Sequence, residues 1–151
     1  MREIKFRAWD KVLRVMVYDF RMSSKGKAII PDTDFGNDNI LENLILLQFT
    51  GLKDKNGKEI FEGDIILFPD TDTESVDVGI GVPMPIAQTP VKSFSKVIFH
   101  EGSFCMDCYE RNETLGKGIK TFDYVINDYG FGLDELEVIG NIYENPGLLK
   151  D

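Results

Sequence analysis

Cys105 and Cys108 have the spacing of half a zinc knuckle, two thiols three residues apart. A tetrahedral site needs four ligands, and the chain offers no other cysteine and a single histidine, His100. Positions three apart on a strand also face opposite sides of it. The pair therefore reads as two semi-buried strand cysteines. It does not read as a redox motif either, because no helix starts at Cys105 to lower its pKa. His100 stands beside Glu101 in a stretch that patterns as a hairpin, where neighbouring side chains face apart, so it is expected at the rim and not as a general base. No G-x-S-x-G, H-E-x-x-H or P-loop sequence occurs, and Gly79-Ile80-Gly81 lacks both a third glycine and a following helix.

The carboxylates need a separate test, since acid/base chemistry requires only two of them. Asp70-Thr71-Asp72-Thr73-Glu74 imitates the start of a calcium loop, but Ser75 stands at its sixth position and Gly81 at its twelfth, where glycine and glutamate are required. A loop begun at Asp32 and Asp34 fails in the same way, with Asn43 at the twelfth position. Glu62 and Asp64 remain. They would suit acid/base work if both faced one pocket, whereas an aspartate at the start of a strand more often accepts turn N–H groups. These readings point away from an enzyme, and no metal or other cofactor is expected.

A binding surface is the other possibility. Lys5, Arg7 and Trp9 share one face of an alternating run, with Arg14 close by in sequence, so cations for phosphates and a ring for a base stand together. The charge distribution bears on this. The whole chain carries a net charge of -9, yet residues 1 to 27 carry eight basic groups and three acidic ones, leaving -14 on the rest. A basic arm of this kind fits an acidic partner, which is nucleic acid, a neighbouring subunit or the body of the same chain. The last two are favoured, because the acidic body repels a polyanion within a Debye length. Trp9 is then expected to pack on the next strand with Arg7 over its ring.

The elements that would position these groups are short strands. Residues 3 to 9 alternate cleanly, and Arg14 to Phe20 supplies a second run, giving an N-terminal hairpin. Residues 23 to 39 shift to loop composition with a brief strand near Ala28, and Asp38 or Asn39 is placed to cap a short helix at Ile40 to Asn43. Leu44 to Thr50 and Ile60 to Phe68 read as strands, the second turned at Glu62-Gly63, with Asn56-Gly57 marking a tight turn between them. Residues 69 to 93 hold four of the six prolines and predict a long, irregular, acidic insertion. Phe94 to His100 and Ser103 to Tyr109 form a hairpin turned at Glu101-Gly102, and Leu136 to Tyr143 is a final strand. Between them, Leu115, Ile119, Phe122 and Ile126 suggest a helical stripe weakened by Gly116 and Gly118. The sum is one mainly β domain over residues 1 to 151, an N-terminal hairpin at 1 to 22 and a body at 44 to 145, forming a small SH3-like barrel or packed antiparallel sheets with few short helices. The N-terminus has no apolar leader core and no run is long enough to span a membrane, so a cytoplasmic protein without membrane contact is expected.

Three segments, REIKFRAWD at 2 to 10, QFTGLKDKNGKEIFEGDIILF at 48 to 68 and EVIGNIYENP at 137 to 146, closely resemble the sequence blocks of the YopX family, small proteins encoded by bacteriophages and prophages of mainly Gram-positive bacteria. They cover about a quarter of the chain in the family's order. The resemblance implies a mostly β, self-associating protein of the bacterial host's cytoplasm, and it implies no reaction. Read one by one, Gly51, Gly57 and Gly63 fall where turns need permissive φ, Asn56 precedes Gly57 in the hairpin, Asp64 fits a turn, and Gly140 suits a bulge or a close strand approach. The expected partners are further copies of the chain and a host or phage macromolecule.

Overall fold

The structure is a computed structural model that describes residues 3–22, 28–30, 39–40, 43–77, 79, 83–108, 118–128, 130 and 132–149. Alternating residues open the chain as a hairpin of β1 (Phe6–Asp10) and β2 (Val15–Val17), with Trp9 opposite Met16. Three brief strands follow, β3 (Arg21–Met22), β4 (Ala28–Ile30) and β5 (Asn39–Ile40), and pair into a small antiparallel sheet. The helix expected from Ile40 is not there at its first residue, since Asn39–Ile40 is extended and paired with β4; residues 38, 41 and 42 lie outside the described set. A two-residue apolar start offers too little to nucleate a helix when a neighbouring strand accepts the same backbone groups.

β6 (Leu44–Lys53) and β7 (Glu59–Phe61) complete a four-stranded sheet in the order β2-β1-β6-β7. The chain then turns at Glu62-Gly63, as the sequence predicts, into β8 (Asp64–Asp77), β9 (Pro83–His100) and β10 (Ser103–Cys108). β11 (Gly118–Thr121), the helix α1 (Phe122–Asn127) and β12 (Glu137–Asn141) finish the fold, and the second sheet has the order β11-β10-β9-β8-β12. The mainly β architecture read from the sequence is thus the observed one, with antiparallel sheets, an N-terminal hairpin and little helix. Of the suspected helical stripe, Leu115 and Gly116 lie outside the described residues, and Phe122 and Ile126 are helical. Ile119 lies in β11, and Phe122 and Val125 are buried on α1, whose first turn is capped by Thr121 Oγ1 accepting from Tyr124 N at 3.1 Å.

The segment 69 to 93 corrects its expectation. Over residues 69–77 and 83–93 it is not irregular: β8 and β9 continue as a two-stranded ribbon from Phe68 opposite Ser93 to Asp77 opposite Pro83, and residues 78 and 80–82 lie outside the described set. Proline is excluded from central strands because it has no N–H to donate to the ladder. Among the described residues the ribbon has no third strand, because β12 pairs with β8 only over residues 64 to 67 and β10 with β9 only over 95 to 100. Both ribbon strands are therefore edges, where Pro69, Pro83, Pro85 and Pro90 are tolerated.

The core lies on the inner face of the second sheet. Ile66, Phe68, Val97, Met106 and Val138 point one way by strand alternation and meet Ile60, Phe122, Val125 and Leu136. Full burial of each such side chain contributes about 1.5–3 kcal/mol.

Candidate functional site

The three segments that resemble family blocks lie on β1, on the β6–β7 hairpin with the start of β8, and on β12 with its following turn. They belong to two different sheets, and side chains join them at two places.

The first is the corner where the chain leaves one sheet for the other. Gly63 has φ +81°, donates from N–H to Val97 O at 2.8 Å, and accepts at its carbonyl from Ile142 N at 2.9 Å. A Cβ there would lie 3.2 Å from the Tyr143 ring. Next to it, Asp64 is buried and both its oxygens are occupied: Oδ1 accepts from Arg7 Nη2 at 2.5 Å and Oδ2 from Phe61 N at 2.8 Å. Arg7 is itself only 4% exposed, lies 4.8 Å from the centre of the Phe61 ring, and reaches Glu62 O at 3.5 Å. Its Nε is a buried donor without a hydrogen-bond partner among the described residues. Two positions along β1, Trp9 stacks on Tyr143 with 5.5 Å between ring centroids and 22° between planes.

Lys5, Arg7 and Trp9 do share a face, as their spacing predicts, but that face is not the outward one. β1 sits between β2 and β6, and residues 7 to 10 are all buried. The corner and Tyr143 cover the side that carries Arg7 and Trp9. The ring under Arg7 is that of Phe61, not Trp9, and Trp9 rests on Tyr143, so neither side chain is an exposed platform for a base or phosphate. Lys5 stays at the surface and bridges Glu59 at 2.6 Å. Two of the basic groups of the first strand thus meet carboxylates of the same chain. Arg14 is exposed in the β1–β2 turn, with φ 55°.

Glu62 and Asp64 differ in environment. Burial pushes the Asp64 carboxyl up, against the downward pull of the Arg7 guanidinium and the Phe61 N–H. Glu62 is half-buried; burial also pushes its carboxyl up, with only the Gln48 backbone contact opposing. Tyr143 is raised by burial and then by the nearby Glu62 charge. The corner therefore holds charge in a desolvated place, with the Arg7 guanidinium on one Asp64 oxygen and the Phe61 N–H on the other.

The second joint was not singled out by sequence reasoning. Asp54 lies in the β6–β7 turn, 6% exposed. Oδ1 accepts from Asn56 N and Lys58 N at 2.8 and 2.9 Å, and Oδ2 accepts from Val138 N of β12 at 2.9 Å. Beside it Lys55 N donates to Leu136 O at 2.9 Å. Burial pushes the Asp54 carboxyl up, but the three N–H donors and the Lys58 charge outweigh it and hold it below the usual range. The available signal was an aspartate three residues before a glycine, the mark of a turn whose first side chain caps the loop. Gly57 takes φ +77° there and Gly51 φ +89° at an irregularity in the β6–β7 pairing. Gly140 follows the β12 bulge, and a Cβ on it would lie 2.5 Å from the side-chain Oδ1 of Asn145 in the following turn.

Elsewhere, Cys105 and Cys108 are buried and not disulfide-bonded, and Cys108 Sγ lies 3.2 Å from Ser95 Oγ. No cluster of metal-binding side chains occurs among the described residues. His100 lies at the rim of its hairpin, 3.8 Å from Glu101. No helix among the described residues is long and apolar enough to cross a membrane.

These features define a small, mainly antiparallel β protein whose four- and five-stranded sheets are joined by a buried arginine–aspartate pair and a carboxylate-capped turn. The chain belongs to the YopX protein family, whose model matches residues 5–150. Among solved structures it is similar to the crystal structure of protein EF1440 from Enterococcus faecalis, at 27% identity and a TM-score of 0.52, with 99% of each chain covered. None of the curated proteins matches the chain.

Proposed function

We propose that the protein is a non-enzymatic phage or prophage accessory protein that self-associates and works by binding a host or phage macromolecule. The observation that carries this reading is the use made of the block residues. Arg7, Asp54, Asp64, Trp9 and Tyr143, the groups best suited to chemistry, are engaged with one another or with backbone N–H groups between the sheets. Their place in the blocks then serves the architecture, and recognition falls to exposed surface, where Val12, Leu13 and Tyr18 are each more than 65% exposed.

Two measurements test it. Light scattering across dilution is expected to show a species larger than the monomer; a monomer at every concentration removes the self-association. Pull-down from host cells with and without nuclease is expected to retain a protein partner in both arms. Loss of all captured material after nuclease would replace this reading with single-stranded nucleic-acid binding.

A further inference from the structure

A sheet edge offers unpaired N–H and C=O groups to any other chain, and the two larger sheets have four edge strands. Three of them are guarded. β7 carries Glu59, bridged to Lys5 at 2.6 Å, and β11 carries Lys120, 5.5 Å from the centre of the Tyr124 ring. Along β12, Asp54 Oδ2 accepts from Val138 N at 2.9 Å and Lys58 Nζ reaches Val138 O at 3.4 Å. β2 is different. Val15-Met16-Val17-Tyr18 holds no charge, proline or glycine, and the only strand that β2 pairs with among the described residues is β1.

This edge is also fixed and apolar. Asp10 holds the turn before it, accepting through Oδ1 from Val12 N at 2.8 Å and from Leu13 N at 2.9 Å. Of the eleven most exposed large apolar side chains among the described residues, five (Ile4, Val12, Leu13, Val15 and Tyr18) lie within residues 4 to 18, a concentration that no other stretch of that length matches. The charges at the two ends of the strand select what covers it. Arg14 precedes β2 and Asp19 follows Tyr18; both are exposed, and neither forms an ion pair among the described residues. Such a strand is complementary to itself when antiparallel, because opposite charges then meet at both ends, whereas a parallel copy sets like charges together. A two-fold axis places one residue opposite itself. With Met16 there, Val15 meets Val17, and Arg14 meets the exposed Tyr18 ring, one residue from Asp19. An axis at Val17 would set Val15 against the Asp19 carboxylate, and one at Val15 would run Val17 into Leu13 of the turn.

We propose that β2 pairs antiparallel with β2 of a second copy about a two-fold axis at Met16, joining two four-stranded sheets into one. This rests on the self-association proposed above and assigns its interface. The partner strand takes the unpaired backbone groups of the edge, and Val15 and Tyr18 lose water.

The test is the dissociation constant of the full chain by sedimentation for the parent, Val15→Lys and Val76→Lys, two sites exposed at 47% and 43% in one copy. Val15→Lys, which sets an ammonium against the partner strand, is expected to weaken association about tenfold or more, and Val76→Lys to leave it unchanged. Met16→Cys is expected to give a disulfide-linked dimer on mild oxidation, because facing Cβ atoms of paired strands lie close to disulfide range, while the buried Cys105 and Cys108 leave the parent unlinked. Circular dichroism checks the fold of each variant. Amide exchange on the parent needs no variant, and residues 15 to 18 are expected to exchange more slowly as protein concentration rises. If the parent self-associates, an unchanged constant for folded Val15→Lys, an equal loss in Val76→Lys, or exchange at residues 15 to 18 indifferent to concentration overturns this interface and leaves self-association standing. A parent that is monomeric throughout overturns both.

Discussion

Arg7 and Asp64 are 57 residues apart in sequence and nearly without solvent. The cost of taking two charges out of water is offset only while both are present, so truncating one leaves the other unpaired. Arg7→Met is expected to destabilise the fold by about 3–5 kcal/mol, and Arg7→Met with Asp64→Asn by much less than the sum of the single changes, in a double-mutant cycle by urea denaturation. Asp54 makes a different prediction because it faces N–H donors from two elements. Its pKa in the folded state lies below the ordinary 3.8, so its stabilisation is complete above that value and is lost as the pH falls through the lower, folded value. Asp54→Ala is expected to cost about 2–4 kcal/mol at neutral pH, by loss of an acceptor for three N–H groups, and to flatten the stability-against-pH curve below about pH 4 in acid titration.

At the scale of elements, turns decide register. The β9–β10 hairpin pairs His100 with Ser103 across Glu101-Gly102, and both turn residues have positive φ, 48° and 85°. Two-residue turns of this kind suit asparagine at the first position and penalise glutamate. Glu101→Asn is therefore expected to raise stability by about 0.5–1 kcal/mol, read as a higher melting temperature. β12 behaves oppositely. It shifts register between Val138 and Gly140, and the chain folds back so that Asn141 N meets Asn145 Oδ1 at 3.3 Å over a bare Cα. Gly140→Ala would place a methyl group within contact distance of that amide, and a loss of about 1–3 kcal/mol by chemical denaturation is expected as overpacking.

Across the whole molecule, what could be read from the sequence were features carried by a few adjacent residues. The break at Glu62-Gly63 and the hairpin at Glu101-Gly102 follow from turn chemistry and are where they were expected, whereas the strand read over residues 3 to 9 runs over Phe6–Asp10 and is buried on both faces from residue 7. The outward or inward sense of β1 was not readable, because a cation and an indole look like surface groups until the corner that covers them is known. Nor was the β8–β9 ribbon, since four prolines argue against a strand unless the strand is already known to be an edge. Asp54 illustrates the same limit, as its third donor, Val138, is 84 residues away. That separation has a kinetic meaning. Closing so long a loop loses chain entropy before any bond rewards it, so this joint is expected to form after the local hairpins and after the folding barrier has been crossed. Asp54→Ala also removes the two local turn bonds, so it should slow refolding by that local share and place the remainder of its effect in faster unfolding, and an effect carried wholly by the refolding rate would assign the long-range joint to the nucleus instead. A bond made that late would lengthen the lifetime of the native state more than it speeds its formation.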